Sequence, residues 1–224
     1  MRYSIEGGSL PVVIINLNPG EKLISEAGGR RWMRGDIRTE TESHGGIGGM
    51  FGRMLSGESL FLSSYTAFSE SEIAFASSFP GKIIARELRN GESIVCQKSA
   101  FLCATDQVSL RVFFQKNIGS GYFGGEGFIM QKITGPGMVF LELDGYIKEY
   151  DLAPNESIVC DTGAVAMIDE TCQIDVRVVS GLKNIVFGGE GLFDTVVTGP
   201  GKVALQSASI TDFSKLISSC IKTK

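Results

Sequence analysis

Apolar residues along this chain occur in short runs that turn-forming residues interrupt. Residues 82–89 read Lys-Ile-Ile-Ala-Arg-Glu-Leu-Arg, and further apolar runs cover residues 93–96, 101–104 and 108–114. Gly, Pro, Asn and Asp separate these runs, and Leu141-Glu142-Leu143 alternates between apolar and polar positions. Short runs that are rich in β-branched residues and bounded in this way are typical of strands. The pattern predicts an all-β protein with sandwich or jelly-roll units.

A different period begins near the C-terminus and predicts a short amphipathic helix at 208–224. Its apolar positions at helical spacing include Ile210, Phe213, Leu216 and Ile217. Ser209 or Thr211 can cap the helix, and Asp212 suits its positive N-terminal end. We expect the apolar face to dock on the chain's own sheet, on a neighbouring subunit or, less in keeping with its weakly basic polar face, on a membrane. Phe213, Leu216 and Ile217 are its candidate interface residues.

Three blocks of sequence recur at one constant spacing. Residues 92–96 (Glu-Ser-Ile-Val-Cys) recur at 156–160, residues 123–127 (Phe-Gly-Gly-Glu-Gly) at 187–191, and residues 134–137 (Thr-Gly-Pro-Gly) at 198–201, each 64 positions later. Chance does not keep three blocks in one register, so we interpret the pattern as internal duplication. A degraded first copy with insertions precedes them.

The repeats predict the organisation of the chain. We expect a degenerate first β unit at 1–81, a second unit at 82–144, a third at 145–207 and the helix after them, all packed as one compact body. A single copy would leave strand edges bare, whereas copies that pack beside one another cover them.

The first unit contains a Gly-rich insertion at residues 44–57 with many large apolar side chains. Those predicted to contact a partner are Ile47, Met50, Phe51, Met54 and Leu55. Apolar side chains on a Gly-rich frame need burial. We favour burial at a subunit interface, with packing in the local core or contact with a ligand or membrane as alternatives.

Few side chains with catalytic potential are present. The 224 residues include one His, His44, and five Cys without a CxxC pair. A cupin-type metal site needs two or three His, and a nucleophilic triad needs a His base. Cys96, Cys103, Cys160 and Cys172 lie in apolar runs, which predicts buried free thiols. We therefore predict no enzyme, no cofactor, and no catalytic, cofactor-binding or metal site.

The net charge bears on nucleic-acid binding, and the N-terminal sequence bears on localisation. The net charge is −4 and the basic residues are scattered, apart from a cluster at Arg30, Arg31, Trp32 and Arg34. Binding that depends on neutralising phosphates is therefore disfavoured, and we expect nucleic-acid binding to be unlikely. The N-terminal residues lack the apolar region of a signal peptide. We expect a cytoplasmic protein.

Three glutamates next to glycines stand at equivalent places in the proposed copies. They are Glu58, Glu126 and Glu190. Three such carboxylates could form a ring or bind a cation. The alternative, which we favour, is that each accepts hydrogen bonds from the N–H groups of a turn.

The order of the Gly-Glu and Pro-Gly motifs carries a family resemblance. Pro19-Gly20-Glu21, Gly57-Glu58-Ser59 and Pro80-Gly81-Lys82 precede the paired Phe-Gly-Gly-Glu-Gly and Thr-Gly-Pro-Gly blocks. Over residues 1 to 207 the chain resembles the bacterial branch of the mitochondrial-biogenesis "altered inheritance of mitochondria" family. The resemblance implies a fold like that of the trp RNA-binding attenuation protein (TRAP-like), a ring-shaped homotrimer, and relatives associated with the mitochondrial inner membrane. It implies no catalytic residues.

The function that we predict is that of a non-enzymatic scaffold or binding protein that forms a symmetric homo-oligomer, with a trimer favoured. One alternative is a module that binds a small ligand in a groove between units or subunits. The other, by fold analogy alone, is an RNA-binding protein.

Overall fold

A computed structural model describes residues 1–26, 28–42, 62–116, 128–178 and 193–220. These residues form nineteen strands and one α-helix, α1 (Ile210–Cys220), with short 3-10 turns at Lys98–Ala100 and Thr162–Ala164. The strands are β1 (Arg2–Glu6), β2 (Val12–Leu17), β3 (Lys22–Glu26), β4 (Arg30–Arg34), β5 (Ile37–Glu42), β6 (Leu62–Ala67), β7 (Ser71–Ala76), β8 (Gly81–Leu88), β9 (Ser93–Gln97), β10 (Phe101–Thr105), β11 (Ser109–Lys116), β12 (Phe128–Thr134), β13 (Gly137–Asp144), β14 (Ile147–Leu152), β15 (Ser157–Asp161), β16 (Val165–Ile168), β17 (Gln173–Val178), β18 (Phe193–Thr198) and β19 (Gly201–Gln206). The prediction of an all-β fold with one C-terminal helix is confirmed.

The strands form four sheets in which neighbouring strands are antiparallel. Sheet 1 has the order β1-β2-β7-β4, and sheet 2 has the order β5-β6-β3-β10-β13-β8. Sheet 3 has the order β11-β12-β9-β16-β19-β14, and sheet 4 has the order β15-β18-β17. The two sheets in the middle of this series have six strands, whereas the terminal sheets have four and three.

After β1, the strands fall into three consecutive groups of six with the same connectivity. The groups are β2–β7, β8–β13 and β14–β19. In each group the sixth strand lies between the first and the third, and the fifth lies between the second and the fourth. The last two groups also share their spacing, since β9 and β15 begin at residues 93 and 157, and the two 3-10 turns begin at 98 and 162.

Successive groups are joined by one type of strand pairing. The second strand of one group pairs with the third strand of the next, so that β3 pairs with β10 and β9 pairs with β16. Sheets 2 and 3 are therefore each built from two half-sheets that belong to different groups. Sheets 1 and 4 contain one half-sheet each, and β1 extends the first of them.

Three apolar cores separate the four sheets. The first holds Ile73 and Phe75 of sheet 1 against Leu23 and Phe140 of sheet 2. The second packs the other face of sheet 2 against sheet 3, and the third packs sheet 3 against sheet 4. Strand residues alternate between the cores, as a pleated strand requires. Val95, for example, lies in the third core and its neighbour Cys96 in the second.

The Gly135-Pro136-Gly137 segment makes the tight turn between β12 and β13. Gly137 has a φ of +146°, and a Cβ atom there would lie 2.2 Å from Oγ1 of Thr105. A side chain would therefore clash with Thr105 at the end of β10. The Gly135-Pro136 peptide is cis.

Helix α1 is anchored at its first turn. Ser209 is its N-cap, because its hydroxyl accepts a hydrogen bond from the Asp212 N–H at 3.1 Å and donates one to the Asp212 carboxylate at 2.6 Å. The Ile210 N–H donates to Oδ2 of Asp144 at 3.0 Å. The sequence prediction that named Ser209 as one of two caps is therefore correct. Among the residues described, no helix is long and apolar enough to cross a membrane.

Candidate functional site

The outer edge of sheet 1 is formed by β4, whose five residues read Arg-Arg-Trp-Met-Arg and are all exposed. β4 pairs with β7 on its inner side, and no described strand pairs with its outer side. Trp32 is 44% exposed and Met33 is 39% exposed. None of the three arginines forms an ion pair with a residue in the described part of the chain. The edge is therefore basic, rich in large apolar side chains and unpaired.

One edge of sheet 4 is formed by β15, which reads Ser-Ile-Val-Cys-Asp. β15 pairs with β18 on one side only within the described structure. Val159 is 60% exposed. Asp161 lies directly opposite Asp194 of β18 in the antiparallel register. Like charges in directly opposite positions destabilise a sheet, and Arg177 of β17 lies opposite Asp194 on its other side. The β15 strand itself carries one carboxylate and no cation.

Strands at the same places in the other groups are buried. The third strands β10 and β16 are almost entirely buried, whereas the third strand β4 is exposed along its whole length. Likewise the second strand β9 is buried at Val95, Cys96 and Gln97, whereas β15 is exposed at every other residue. β4 and β15 are thus as exposed as expected for strands that lack the neighbouring strand which covers their equivalents in the other groups.

A second exposed surface lies on α1. Phe213, Leu216 and Ile217 are all exposed, at 44%, 61% and 44%. The Phe213 ring packs against Phe79 with ring centroids 5.4 Å apart. The helix is therefore attached to the body through its first turn, and much of its apolar face remains open to solvent.

A polar cleft of about 210 Å³ lies at the end of sheet 1 near β4. Its lining includes the charged side chains of Arg2, Arg34, Glu70 and Glu72. Both signs of charge face the same small space, which suits a small zwitterionic or hydrogen-bonding ligand better than an apolar one.

Two of the described cysteines, Cys96 and Cys160, are poor nucleophiles. Burial raises the pKa of Cys96 to about 12, with the negative charge of Glu26 adding to the effect. Burial also raises the pKa of Cys160 to about 12, and Asp161 and Asp194 contribute to that shift. Because the thiolate is the reactive form, these thiols stay protonated and unreactive at neutral pH. Among the described residues, no group of three or more His, Cys, Asp or Glu side chains is placed to hold a metal ion.

Several residues predicted from the sequence fall outside the part of the chain that the structure describes. They are His44, the insertion residues Ile47, Met50, Phe51, Met54 and Leu55, and the three glutamates Glu58, Glu126 and Glu190. The remaining predicted interface residues lie together on α1. The basic cluster at 30–34 is β4 itself, so its charges lie along a strand edge.

Other glutamates accept turn hydrogen bonds, and the sequence reasoning did not single them out for this role. The carboxylates of Glu21, Glu92 and Glu156 accept hydrogen bonds from the backbone N–H groups three residues earlier, at 2.8, 2.9 and 2.8 Å. Each stands in the loop before the second strand of its group. The signal that could have found them is the Gly-Glu or Asn-Glu pair immediately before each of these strands.

Comparison with known proteins identifies relatives that span the whole chain. The model of a family described as "Mitochondrial biogenesis AIM24" matches residues 3–208. An uncharacterised protein of Streptococcus pyogenes serotype M6 is 28% identical over 222 residues, which cover 95% of this chain and 88% of that protein. A crystal structure of a Streptococcus pyogenes protein superimposes with a TM-score of 0.80 at 22% identity, over 98% of this chain and 99% of that one. At this identity the crystal structure supports the fold alone.

Proposed function

Because the chain belongs to the mitochondrial biogenesis AIM24 family, we propose that it is a non-enzymatic scaffold protein that acts as a symmetric homo-oligomer. The resemblance to this family implies a ring-shaped oligomer and no catalytic residues. The proposal includes the internal duplication that the repeats indicate. It also keeps the trimer as the expected size. Action near a membrane surface stays a prediction.

The observation that carries this proposal is the size of the terminal sheets. Sheets 2 and 3 each combine two half-sheets from neighbouring groups, whereas sheets 1 and 4 hold one half-sheet each. Unpaired edges with exposed apolar residues favour the addition of further strands. A second chain of the same kind supplies half-sheets of the required type, because it carries the same three groups.

The mass of the protein in solution tests the proposal. Size-exclusion chromatography with light scattering should give a mass that is a whole-number multiple, two or more, of the 24.1 kDa mass of one chain. The same multiple should be found across a wide range of protein concentrations, as expected of a closed assembly. A single-chain mass at high concentration would contradict the proposal.

A second candidate function is the binding of a small ligand in a groove, and the polar cleft beside β4 favours it. Arg34 and Glu72 both face the cleft and offer a cation and an anion to one ligand. A thermal-shift screen with nucleotides, sugars and metal ions should then show a stabilising ligand. Its effect should be lost in Arg34→Ser and kept in Arg38→Ser, a control on β5, which follows β4 along the chain but lies in sheet 2. The absence of any stabilising compound across a broad library would count against this function.

A further inference from the structure

We infer that copies of the chain join head to tail, with the outer edge of β4 in one copy pairing antiparallel with the outer edge of β15 in the next. This inference rests on the proposed self-association and names the two surfaces that carry it. The partner at each edge is a second copy of the same chain.

The first argument is the type of strand that each edge presents. Inside the chain, the second strand of one group pairs with the third strand of the next group, and this happens at both junctions. The first group has no group before it, so its third strand, β4, lacks such a partner. The last group has no group after it, so its second strand, β15, lacks one as well. Each chain therefore ends in the two halves of the same junction.

The second argument is that the internal junctions share one register. At the first, Cys103, the third residue of β10, lies opposite Ser25, the fourth residue of β3. At the second, Met167, the third residue of β16, lies opposite Cys96, the fourth residue of β9. The rule is the same at both: the third residue of the third strand faces the fourth residue of the second strand.

β4 has the local shape that this register needs. A bulge separates its first and third residues, Arg30 and Trp32, where it pairs with β7. The same bulge separates Phe101 from Cys103 in β10 and Val165 from Met167 in β16. A bulge re-aims the residues that follow it, so β4 presents its outer edge as β10 and β16 present theirs.

The shared register places specific residues opposite each other across the new junction. Trp32 falls opposite Cys160 of the next copy, and Met33 falls opposite Val159. Directly opposite residues lie on the same face of an antiparallel sheet. Cys160 packs against the third core, so Trp32 would extend that core. Met33 and Val159 would cover each other on the opposite face.

Charge supplies the third argument. β4 carries Arg30, Arg31 and Arg34, all exposed. At the internal junctions the pairing begins at the third residue of the third strand, so Arg31, the residue just before Trp32, would lie close to Asp161 of the next copy. Asp161 lies opposite Asp194 within its own sheet, and Asp194 has Arg177 of β17 opposite it on its other side. An arginine from the neighbouring chain would place a cation on the outer side of Asp161, where no described strand pairs with β15. Edges of opposite charge favour pairing β4 with β15 and disfavour pairing either edge with itself.

The resulting junction would be a seven-stranded sheet, since sheet 1 has four strands and sheet 4 has three. It joins two different surfaces, so each copy still offers one free edge after the first pairing. Such an interface closes into a ring when the rotation between copies permits. A ring leaves no free edge of this type.

Edge-blocked variants test the inference. In the first variant, Arg31→Glu with Met33→Glu takes the net charge of β4 from +3 to 0 and places two carboxylates next to Asp161 and Val159, which weakens the pairing with β15. In the second, Val159→Arg with Asp161→Arg makes β15 basic and so repels β4. All four positions are exposed, and Asp161 also accepts a hydrogen bond from the Gly163 N–H at 2.8 Å, so circular dichroism and thermal unfolding will check that each variant keeps the fold. Each variant alone should run at the mass of one chain.

An equimolar mixture of the two variants decides between modes of assembly. The mixture retains one unaltered pair of edges, β15 of the first variant and β4 of the second, so it should form a complex of at least twice the mass of one chain. The altered edges now carry Glu and Arg and can also pair with each other, which only adds to the assembly. The matched control is Ile5→Glu on β1, the opposite edge of sheet 1, because Ile5 is as exposed as Met33 (38% against 39%). It should keep the mass of the wild-type oligomer.

The outcomes separate this inference from the proposed function. An oligomeric wild type whose mass neither variant changes would overturn the pairing of β4 with β15 and leave the scaffold proposal intact. Assembly by one variant alone would also overturn it, because that result requires a contact other than the pairing of β4 with β15. A wild type that is monomeric would overturn both. If β4 instead binds RNA, low-salt filter binding would detect a complex with the wild type while the edge variants leave the oligomer unchanged, and the inference would again fail.

Discussion

Replacing Asp144 by asparagine tests how the end of β13 holds the C-terminal helix. Burial raises the pKa of Asp144 from 3.8 to about 6, although the hydrogen bond from the Ile210 N–H opposes this shift and the nearby charge of Glu142 adds to it. The folded protein therefore binds a proton at Asp144 more tightly than the unfolded chain does. Between these two pKa values, folding takes up a proton at this site.

The sign of the effect on stability follows from that proton uptake. The stabilising contribution of protonated Asp144 is fully present below about pH 4 and is lost as the pH rises through about 6. Two pKa units correspond to about 3 kcal/mol. Since this carboxyl is only partly buried, solvent screening reduces the expected effect to about 1 kcal/mol.

Urea unfolding at a series of pH values measures this contribution. The variant Asp144→Asn cannot ionise and keeps an oxygen that can accept the Ile210 N–H. Its free energy of unfolding, relative to the wild type, should rise by about 1 kcal/mol between about pH 4 and about pH 7.5. The control Asp151→Asn, at an exposed position of β14, should show no such rise. A relative stability of Asp144→Asn that is constant or falls with pH would refute the reasoning.

Three further substitutions test the first core, the helix cap and the contact between β13 and the β7–β8 connection. Each is measured by the free energy of unfolding. Phe140→Ala should cost about 3–5 kcal/mol, because Phe140 is fully buried in the first core with Tyr3 against its ring at 5.0 Å; a loss below about 1 kcal/mol would contradict this packing. Ser209→Ala should lower helix stability by about 1 kcal/mol and increase amide exchange in α1 alone, and unchanged exchange there would contradict the cap. Glu142→Ala should cost about 2 kcal/mol, because its Oε2 accepts hydrogen bonds from the Ser77 hydroxyl and the Ser78 N–H at 2.9 and 2.6 Å; a neutral effect would contradict this role.

The sequence predicted the strands well because each is a short apolar run between turn residues. The runs at 93–96 and 101–104 lie within β9 and β10, and the helix and its Ser209 cap followed from spacing and cap chemistry. These signals are local. Each depends on residues within one strand or one turn of helix, so a single sequence is enough to read them.

The edges β4 and β15 could not be identified from the sequence as a joint site. Arg30, Arg31, Trp32 and Arg34 stand out as a basic cluster, but only the sheet order shows that they lie along an unpaired edge. Residues 157–161 read like the buried strand β9, because both contain the Ser-Ile-Val-Cys sequence. The difference between them comes from position in the series of groups, which determines whether a neighbouring group covers the strand.

A disulfide between two singly substituted chains tests the head-to-tail pairing most directly. In a background with the exposed Cys220 replaced by serine, chains that carry Met33→Cys are mixed with chains that carry Val159→Cys, and the mixture is oxidised mildly. Directly opposite residues of antiparallel strands lie about 4.5–5.5 Å apart between Cα atoms, a separation that a disulfide can bridge. We predict a cross-linked dimer that contains one chain of each kind and does not form in either sample alone. Cross-linking of Met33→Cys chains to each other, or no cross-link in an oligomer that is otherwise intact, would contradict the account.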